Sequence, residues 1–533
     1  MHRPSANRWL VAIAVMSSAV MEVLDTSVVN VSLPHIAGNL SSTVDEATWV
    51  LTSYIVANAV ILPITGWLAN YFGRKKLLLT VVTGFTVSSL LCGLAPNLPL
   101  LVLFRVLQGT TGGGLQPISQ AVLLEEFPGP ERGKAMAFWG MGIVTAPILG
   151  PTLGGWITDA YSWRWVFYIN LPVGLFSLLM ISLFVVDPPY IKRGKLRLDA
   201  LGLAMLAIGM GALQIMLDKG QEEDWFGSRF IVTLAVLAVV GLVAFVIREL
   251  LVPQPLVRFR LLRYRTFTVG ICLAWMLGFV LYGNLVLLPL FMQTLLGWTA
   301  QTAGLWTSPR GIGTALLMPL VGYLLGKRWD ARWMLVLGFA MTGVACFGYS
   351  TMSLDSGTWD IFWYQMLQGT GMAFVFVPLT TITMEMIPRE EIGYATSLYS
   401  VMRNIGSSVG ISFVTTWLAR RAQVHQSMLV AHVTPYDQQF RMLMGDARGL
   451  MMQGGADAST ASMQSMSAIY NLVQRQASLL SFAETFRVMG VLFMLCILAV
   501  LIMKKPAHKR SIDGVPPQQP QLQRLPGTPA RSG

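Results

Sequence analysis

Charged residues are scarce in this chain: Asp, Glu, Lys and Arg together make up 12% of its 533 residues, roughly half the share in an ordinary soluble domain. So little charge cannot coat the three or four water-soluble domains that the length alone suggests. Cysteine is scarcer still. Cys92, Cys272, Cys346 and Cys496 sit singly inside apolar runs, which argues against a disulfide framework and against the paired spacing of a zinc site. The histidines, His2, His35, His425, His432 and His508, fall in termini or expected loops, so no metal site is expected. No GxxxxGK[ST] sequence occurs, which disfavours an ATP-driven pump.

What the chain has is apolar length. Hydrophobic residues reach 54% and the mean hydropathy is +0.58, the composition of an all-α polytopic membrane protein. Fourteen stretches are long enough to cross a bilayer, near residues 9–31, 48–69, 77–95, 98–122, 135–157, 165–186, 198–217, 230–247, 267–291, 300–325, 334–352, 359–383, 394–417 and 485–503. The first follows Arg3 and Arg8 but is too long for a cleaved leader and has no small-residue cleavage site, so it reads as a retained helix. The net charge of +12 is split into short clusters at 74–76, 132–134, 192–197, 248–265, 327–332 and 504–510. These are topology signals and not a nucleic-acid surface, and they predict 14 spans with both termini cytoplasmic. Residues 420–482 read as a long, weakly helical outward loop, and 504–533 as a disordered cytoplasmic tail.

The chain also repeats itself. Leu107-Gln108-Gly109-Thr110 recurs as Leu367-Gln368-Gly369-Thr370, and Pro128 and Gly133 as Pro388 and Gly393, at one offset of 260. Pro63 and Gly66 recur as Pro319 and Gly322 at an offset of 256. Spans 1–6 and 9–14 are therefore two copies of a six-helix unit, an arrangement with which secondary transporters build two halves around a central site. The predicted units are an N-terminal bundle, 1–190, two inserted spans with linkers, 191–265, and a C-terminal bundle, 266–503.

A charge in the hydrocarbon is expensive and points to function. Glu22 and Asp25 in span 1, Arg105 in span 4, Arg310 in span 10 and Arg403 in span 13 are the deep ones. Glu22 and Asp25 share one helical face, and counting residues puts Asp25 and Arg105 at similar depth, close enough to pair. The competing reading is a static ion-pair network that only fixes helix packing. In span 5, Gly142, Ala146, Gly150 and Gly154 recur every four residues beside Pro147 and Pro151, a small-residue seam with a bend. Its counterparts Gly406 and Gly410 lack the prolines; Ser407 and Ile411 stand there.

On these motifs the chain resembles the fourteen-span drug:proton antiporters of the major facilitator superfamily, most closely the EmrB-type exporters of Gram-negative bacteria. LDTSVVNVSLP at Leu24–Pro34 resembles the family's first-helix motif, GWLANYFGRKK at Gly66–Lys76 its loop motif, and RVLQGTTGGG at Arg105–Gly114 its fourth-helix motif. APILGPTLGG at Ala146–Gly155 is similar to the fifth-helix antiporter motif, and LDKGQEEDWF at Leu217–Phe226 looks the most specifically EmrB-like. The resemblance implies a multidrug efflux antiporter of the bacterial inner membrane, not an enzyme, driven by the proton gradient without cofactor. It implies proton coupling by Asp25, Glu22 and Arg105, and gating through Gly66, Asn70, Gly73, Arg74, Gly142, Pro147, Gly150, Pro151 and Gly154. Arg310, Arg403 and Gln108 are candidates for the substrate cavity. Implied partners are amphipathic drugs or lipophilic acids, protons, a periplasmic membrane-fusion adaptor and a TolC-type outer-membrane channel. Asn70 departs from the loop motif's usual Asp and cannot form a charge-based latch. Two alternatives remain: a dedicated exporter of one metabolite or siderophore, and a non-transporting sensor or scaffold.

Overall fold

A computed structural model of the chain describes residues 7–127, 129–188, 199–327, 329–431, 433–434 and 436–503. The predicted tail and the basic clusters at 192–197 and 504–510 lie outside the described residues. Among those described, all regular structure is helical. The first half comprises α1 (Arg8–Asn39), α2 (Val44–Ala47), α3 (Trp49–Ile61), α4 (Thr65–Phe72), α5 (Arg74–Leu94), α6 (Leu98–Gly112), α7 (Leu115–Glu126), α8 (Arg132–Ala160), α9 (Trp165–Tyr168) and α10 (Asn170–Phe184). Two inserted helices follow, α11 (Ala200–Lys219) and α12 (Arg229–Leu251). The second half holds α13 (Arg265–Thr294), α14 (Ala300–Gly326), α15 (Ala331–Tyr349), α16 (Thr358–Met384), α17 (Ile392–Val430), α18 (Gln438–Gln453) and α19 (Ala458–Ile502).

The helix starts obey local chemistry. Asn7, Asn97, Asp199, Thr299 and Asp330 each accept a backbone N–H of the first turn, which satisfies donors a helix cannot pair internally. Gly73 separates α4 from α5 at φ +89°, a left-handed conformation that a side chain would strain.

Ten helical segments are long and apolar enough to cross a membrane, and eleven if α8, bent by 42° at Pro147, is counted as one span. The fourteen stretches read from sequence include three that fall short of this measure. The α6–α7 stretch is interrupted at Gly113 and Gly114, while α14 and α17 are long enough but carry Arg310 and Arg403 among Gly, Ser and Thr.

The repeat is visible in the packing. Helix α1 lies along α8, and α13 lies along α17. A Cβ on Gly109 would meet the Tyr54 carbonyl, and one on Gly369 would meet that of Arg310, so the two LQGT turns dock on their neighbours in the same way. Helix α14 packs along α8 and joins the halves. The first and last described residues share one face of the molecule: Arg8 pairs with Glu131, Gly133 abuts Leu325, and Arg332, seven residues on from Leu325, donates to the Met503 carbonyl.

Segment 420–482 is not a loop. Helix α17 runs on to Val430, α18 packs on α19, and α19 is continuous from Ala458 to Ile502. The polar Gln- and Ser-rich composition that reads as a loop is compatible with a solvent-facing helix, because these residues need only water on one side. His425 accordingly sits within α17, where it is 3.0 Å from Glu484.

Candidate functional site

The deep acids and Arg105 meet. Asp25 on α1 and Arg105 on α6 are both fully buried and lie 2.6 Å apart. The other carboxylate oxygen of Asp25 accepts from Gln108 Nε2 at 2.9 Å and from Asn170 Nδ2 at 2.7 Å. Arg105 also donates through Nε to the Val50 carbonyl at 3.0 Å and through Nη1 to Gln108 Oε1 at 2.7 Å. Ser89 on α5 accepts from both Gln108 and Asn170 and donates to the Phe167 carbonyl. The Arg105 guanidinium stands 4.2 Å from the centroid of the Tyr54 ring and 5.7 Å from that of Phe167. Six helices thus enclose one ion pair in which both carboxylate oxygens of Asp25 and two of the three Arg105 nitrogens are hydrogen-bonded, as a buried charge requires, while Arg105 Nη2 has no partner among the described residues.

Glu22 sits one turn along α1 and is separated from that pair. Its Oε1 accepts from Asn58 Nδ2 at 2.9 Å, while Oε2 has no hydrogen-bond partner among the described residues. Beside it lies Gln116 of α7, whose Oε1 accepts from Arg403 Nη2 at 2.6 Å. Glu22, Gln116 and Arg403 therefore form a polar chain from the first half to the second.

Of the three cavity candidates, only Arg403 stands between the halves, 5.9 Å from the Phe376 ring. Gln108 belongs to the Asp25 cluster. Arg310 is buried inside the second half beside Tyr349 and Cys346, away from the other two.

The gating candidates divide by what they touch. A Cβ on Gly66 would come within 2.7 Å of the Gly393 carbonyl and the Tyr394 Cα of α17, so backbone meets backbone across the halves. Arg74 donates to Glu125 through Nε at 3.1 Å and its Nη1 covers Gly393. Asn70 donates to the Gly66 carbonyl of its own helix at 3.0 Å. The seam in α8 faces α1 instead: Gly142 meets Met16 and Val20, Gly150 meets Ser27, and Gly154 meets Val28. Ser27 Oγ donates to the Pro147 carbonyl at 3.1 Å, and a Cβ on Gly304 of the second half would lie 3.9 Å from the Pro151 ring. A cavity of about 300 Å³ separates α3 from α17 and is walled by inserted helix α11; Thr52, Gln214, Asp218, Glu222, Ser408 and Ser412 supply its polar lining.

Asn170, Ser89, Tyr54, Asn58 and Gln116 were not singled out from sequence. Each is a polar group inside an apolar stretch, and that cost in the hydrocarbon was the available signal.

Residues 15–411 match the Major Facilitator Superfamily. The "Multidrug export protein EmrB" of Haemophilus influenzae is 42% identical over 430 residues, covering 80% of this chain and 84% of that protein. The "Fatty acid resistance protein FarB" of Neisseria gonorrhoeae is 40% identical over 489 residues, covering 92% and 94%. A double-Trp mutant of XylE shares the fold with a TM-score of 0.61 at 15% identity, over 95% of this chain and 98% of that one. The chain belongs to the major facilitator superfamily, as an EmrB-type transporter.

Proposed function

We propose that this chain is a proton-coupled antiporter that exports amphipathic toxic compounds across the bacterial inner membrane, in which it is a multi-pass protein. The observation that carries the reading is the buried Asp25–Arg105 pair set one helical turn from Glu22, which itself leads through Gln116 to Arg403 of the other half. A transporter needs a proton-binding group whose occupancy is felt by the contact between halves. Asp25 accepts three N–H donors; protonation removes the charge that Arg105 pairs with and obliges the cluster to rearrange. Glu22 then links that state to the interface, where Arg403 and the apolar and Met side chains around it receive substrate.

FarB, named for fatty acid resistance and similar along nearly the whole chain, together with Arg403 at the interface, favours lipophilic acids within the substrate range. The chain acts as a transporter and not as an enzyme, with fourteen spans and both termini cytoplasmic. A periplasmic adaptor and a TolC-type channel complete the export route, since a pump alone releases its substrate into the periplasm.

The test of function is substrate-driven proton release from proteoliposomes. A panel of amphipathic cations and acids should each move protons; movement by a single compound would favour a dedicated exporter, and movement by none a sensor. Topology is read separately with Arg193→Cys and Ser427→Cys in a cysteine-free background. An impermeant thiol reagent should label position 427 from the periplasm and leave 193 unlabelled.

A further inference from the structure

The second half contains a counterpart of the Asp25–Arg105 box in which the charges do not balance. Its register follows from the repeat: the offset of 260 carries Gln108 to Gln368 and Arg105 to Gln365, and the offset of 256 carries Tyr54 to Arg310. The structure agrees at the backbone, where Gly109 abuts the Tyr54 carbonyl and Gly369 the Arg310 carbonyl. In the first half the cation sits on α6 above Tyr54. In the second the cation has moved to the tyrosine's position, and the arginine's position holds a neutral amide.

No acid accompanies the move. Helix α13, the counterpart of α1, contains no acidic residue, and the polar group it supplies is Asn284, whose Nδ2 donates to Cys346 Sγ at 3.3 Å. Tyr349 OH donates to Gln368 Oε1 at 3.2 Å. Tyr349 and Cys346, both neutral, are also the ionisable neighbours of Arg310. Among the described residues Arg310 forms no ion pair, although it is buried. Arginine does not relieve such a position by losing its proton.

A second observation points to a ligand. Gln365 is fully buried, yet among the described residues neither its Nε2 nor its Oε1 has a hydrogen-bond partner, and the same is true of Asn284 Oδ1. Buried amides are ordinarily satisfied. Both carboxamides are able to turn by 180° and present N–H groups. A single anion would supply the missing charge and an acceptor for these donors together.

We propose that Arg310, Gln365 and Asn284 form an anion-binding site within the second half, taking one small monovalent anion. The site does in this half what Asp25 does in the first: it neutralises an arginine between the first, second and fourth helices of the repeat. Because the anion is diffusible and Asp25 is not, only one half responds to protons through a fixed acid, and the other to the anion concentration. The chemistry fits chloride or the carboxylate of a small acid.

The experiment is thermal unfolding of the purified, detergent-solubilised full chain at constant ionic strength, with gluconate replaced by chloride or by acetate. Occupancy should raise the wild-type midpoint by about 2 °C. A rise with chloride alone identifies an inorganic anion, and a rise with acetate alone a carboxylate. Arg310→Gln should abolish the rise. Asn284→Asp supplies the negative charge internally and should unfold at the higher midpoint in gluconate with no further gain from either anion. Wild type that responds to neither anion overturns the proposal, as does an undiminished response in Arg310→Gln. Where Arg310→Gln fails to fold, an undiminished response in Asn284→Asp overturns it equally. The readout is binding to purified protein and does not depend on whether the chain exports drugs.

Discussion

In the proposed mechanism Asp25 is the residue on which coupling turns, because its surroundings leave it little latitude. Three side chains donate to it, and only Arg105 among them is charged. Asp25→Asn keeps the volume but can neither take up the proton nor answer the guanidinium. Proton-driven export should fall by on the order of 10- to 100-fold, while equilibrium binding of substrate survives. Glu22→Gln should preserve proton release and weaken recognition of cations, since Glu22 faces the chain to Arg403 and not the buried pair. Full proton exchange by Asp25→Asn would sink this assignment, and coupling lost only in Glu22→Gln would move the proton site one turn along α1. The Asp25–Arg105 encounter is legible from sequence because depth along a helix is a matter of counting residues. The parts played by Asn170, Ser89 and Tyr54 are not, since rotation about each helix axis is fixed only by packing. Gln108 illustrates the limit: its place one turn from Arg105 is compatible with facing either the cavity or the cluster, and only packing turns it to the cluster.

At the scale of the helix stand the proposed gate and the inserted pair. Gly66 presses its α-carbon against the backbone of Gly393 and Tyr394, so even one added methyl must displace α17. Gly66→Val should destabilise the closed arrangement of this face by about 1–3 kcal/mol. Faster labelling of a cysteine at Ser397, buried just beyond Gly393, would report the opening; unchanged labelling would remove Gly66 from the gate. Asn70 serves its own helix through the Gly66 carbonyl, so Asn70→Ala should change this labelling far less. The prolines that sequence places in α8 coincide with its bend, whereas α17, with Ser407 and Ile411 at those positions, continues unbroken for 39 residues.

The inserted helices are clamped by Asp199, which caps α11 and pairs with Arg248 of α12 at 2.6 Å. That guanidinium holds the Asp199 carboxyl below its ordinary value. A group depressed in the folded state adds stability above its unfolded pKa of about 3.9 and loses it as pH falls through the lower folded value. Asp199→Asn keeps the helix cap and removes only the ion pair. Its melting deficit should be constant from about pH 8 to pH 5 and close below about pH 4. A deficit that persists in acid would assign the loss to packing.

At the scale of the whole molecule the two halves share a plan and differ in their chemistry, and one structure has no counterpart in the first half. This is the helical projection of α17, α18 and α19, the part that composition misread as a loop. Arg475 of α19 donates to the Leu295 carbonyl at the end of α13, so the projection rises from the face opposite Arg8 and Met503. Helix α18 has no buried residue, and Met442, Leu443, Leu450 and Met452 on it, with Met463 and Met466 on α19, are exposed. An apolar methionine surface on an element that adds nothing to the core is suited to contact another protein. If the adaptor docks here, the docking element is α18, because α17 and α19 are held by each other and by the bundle. Replacing residues 431–457 with a short Gly-Ser linker removes α18 and leaves both long helices. Adaptor co-purification should then be lost, and resistance in cells with it, while proton exchange by the purified variant in liposomes stays at the wild-type rate. Unchanged adaptor recovery would exclude α18 from the interface. Loss of liposome exchange as well would show that the projection serves the transport cycle itself, and the assignment of α18 to docking would fail.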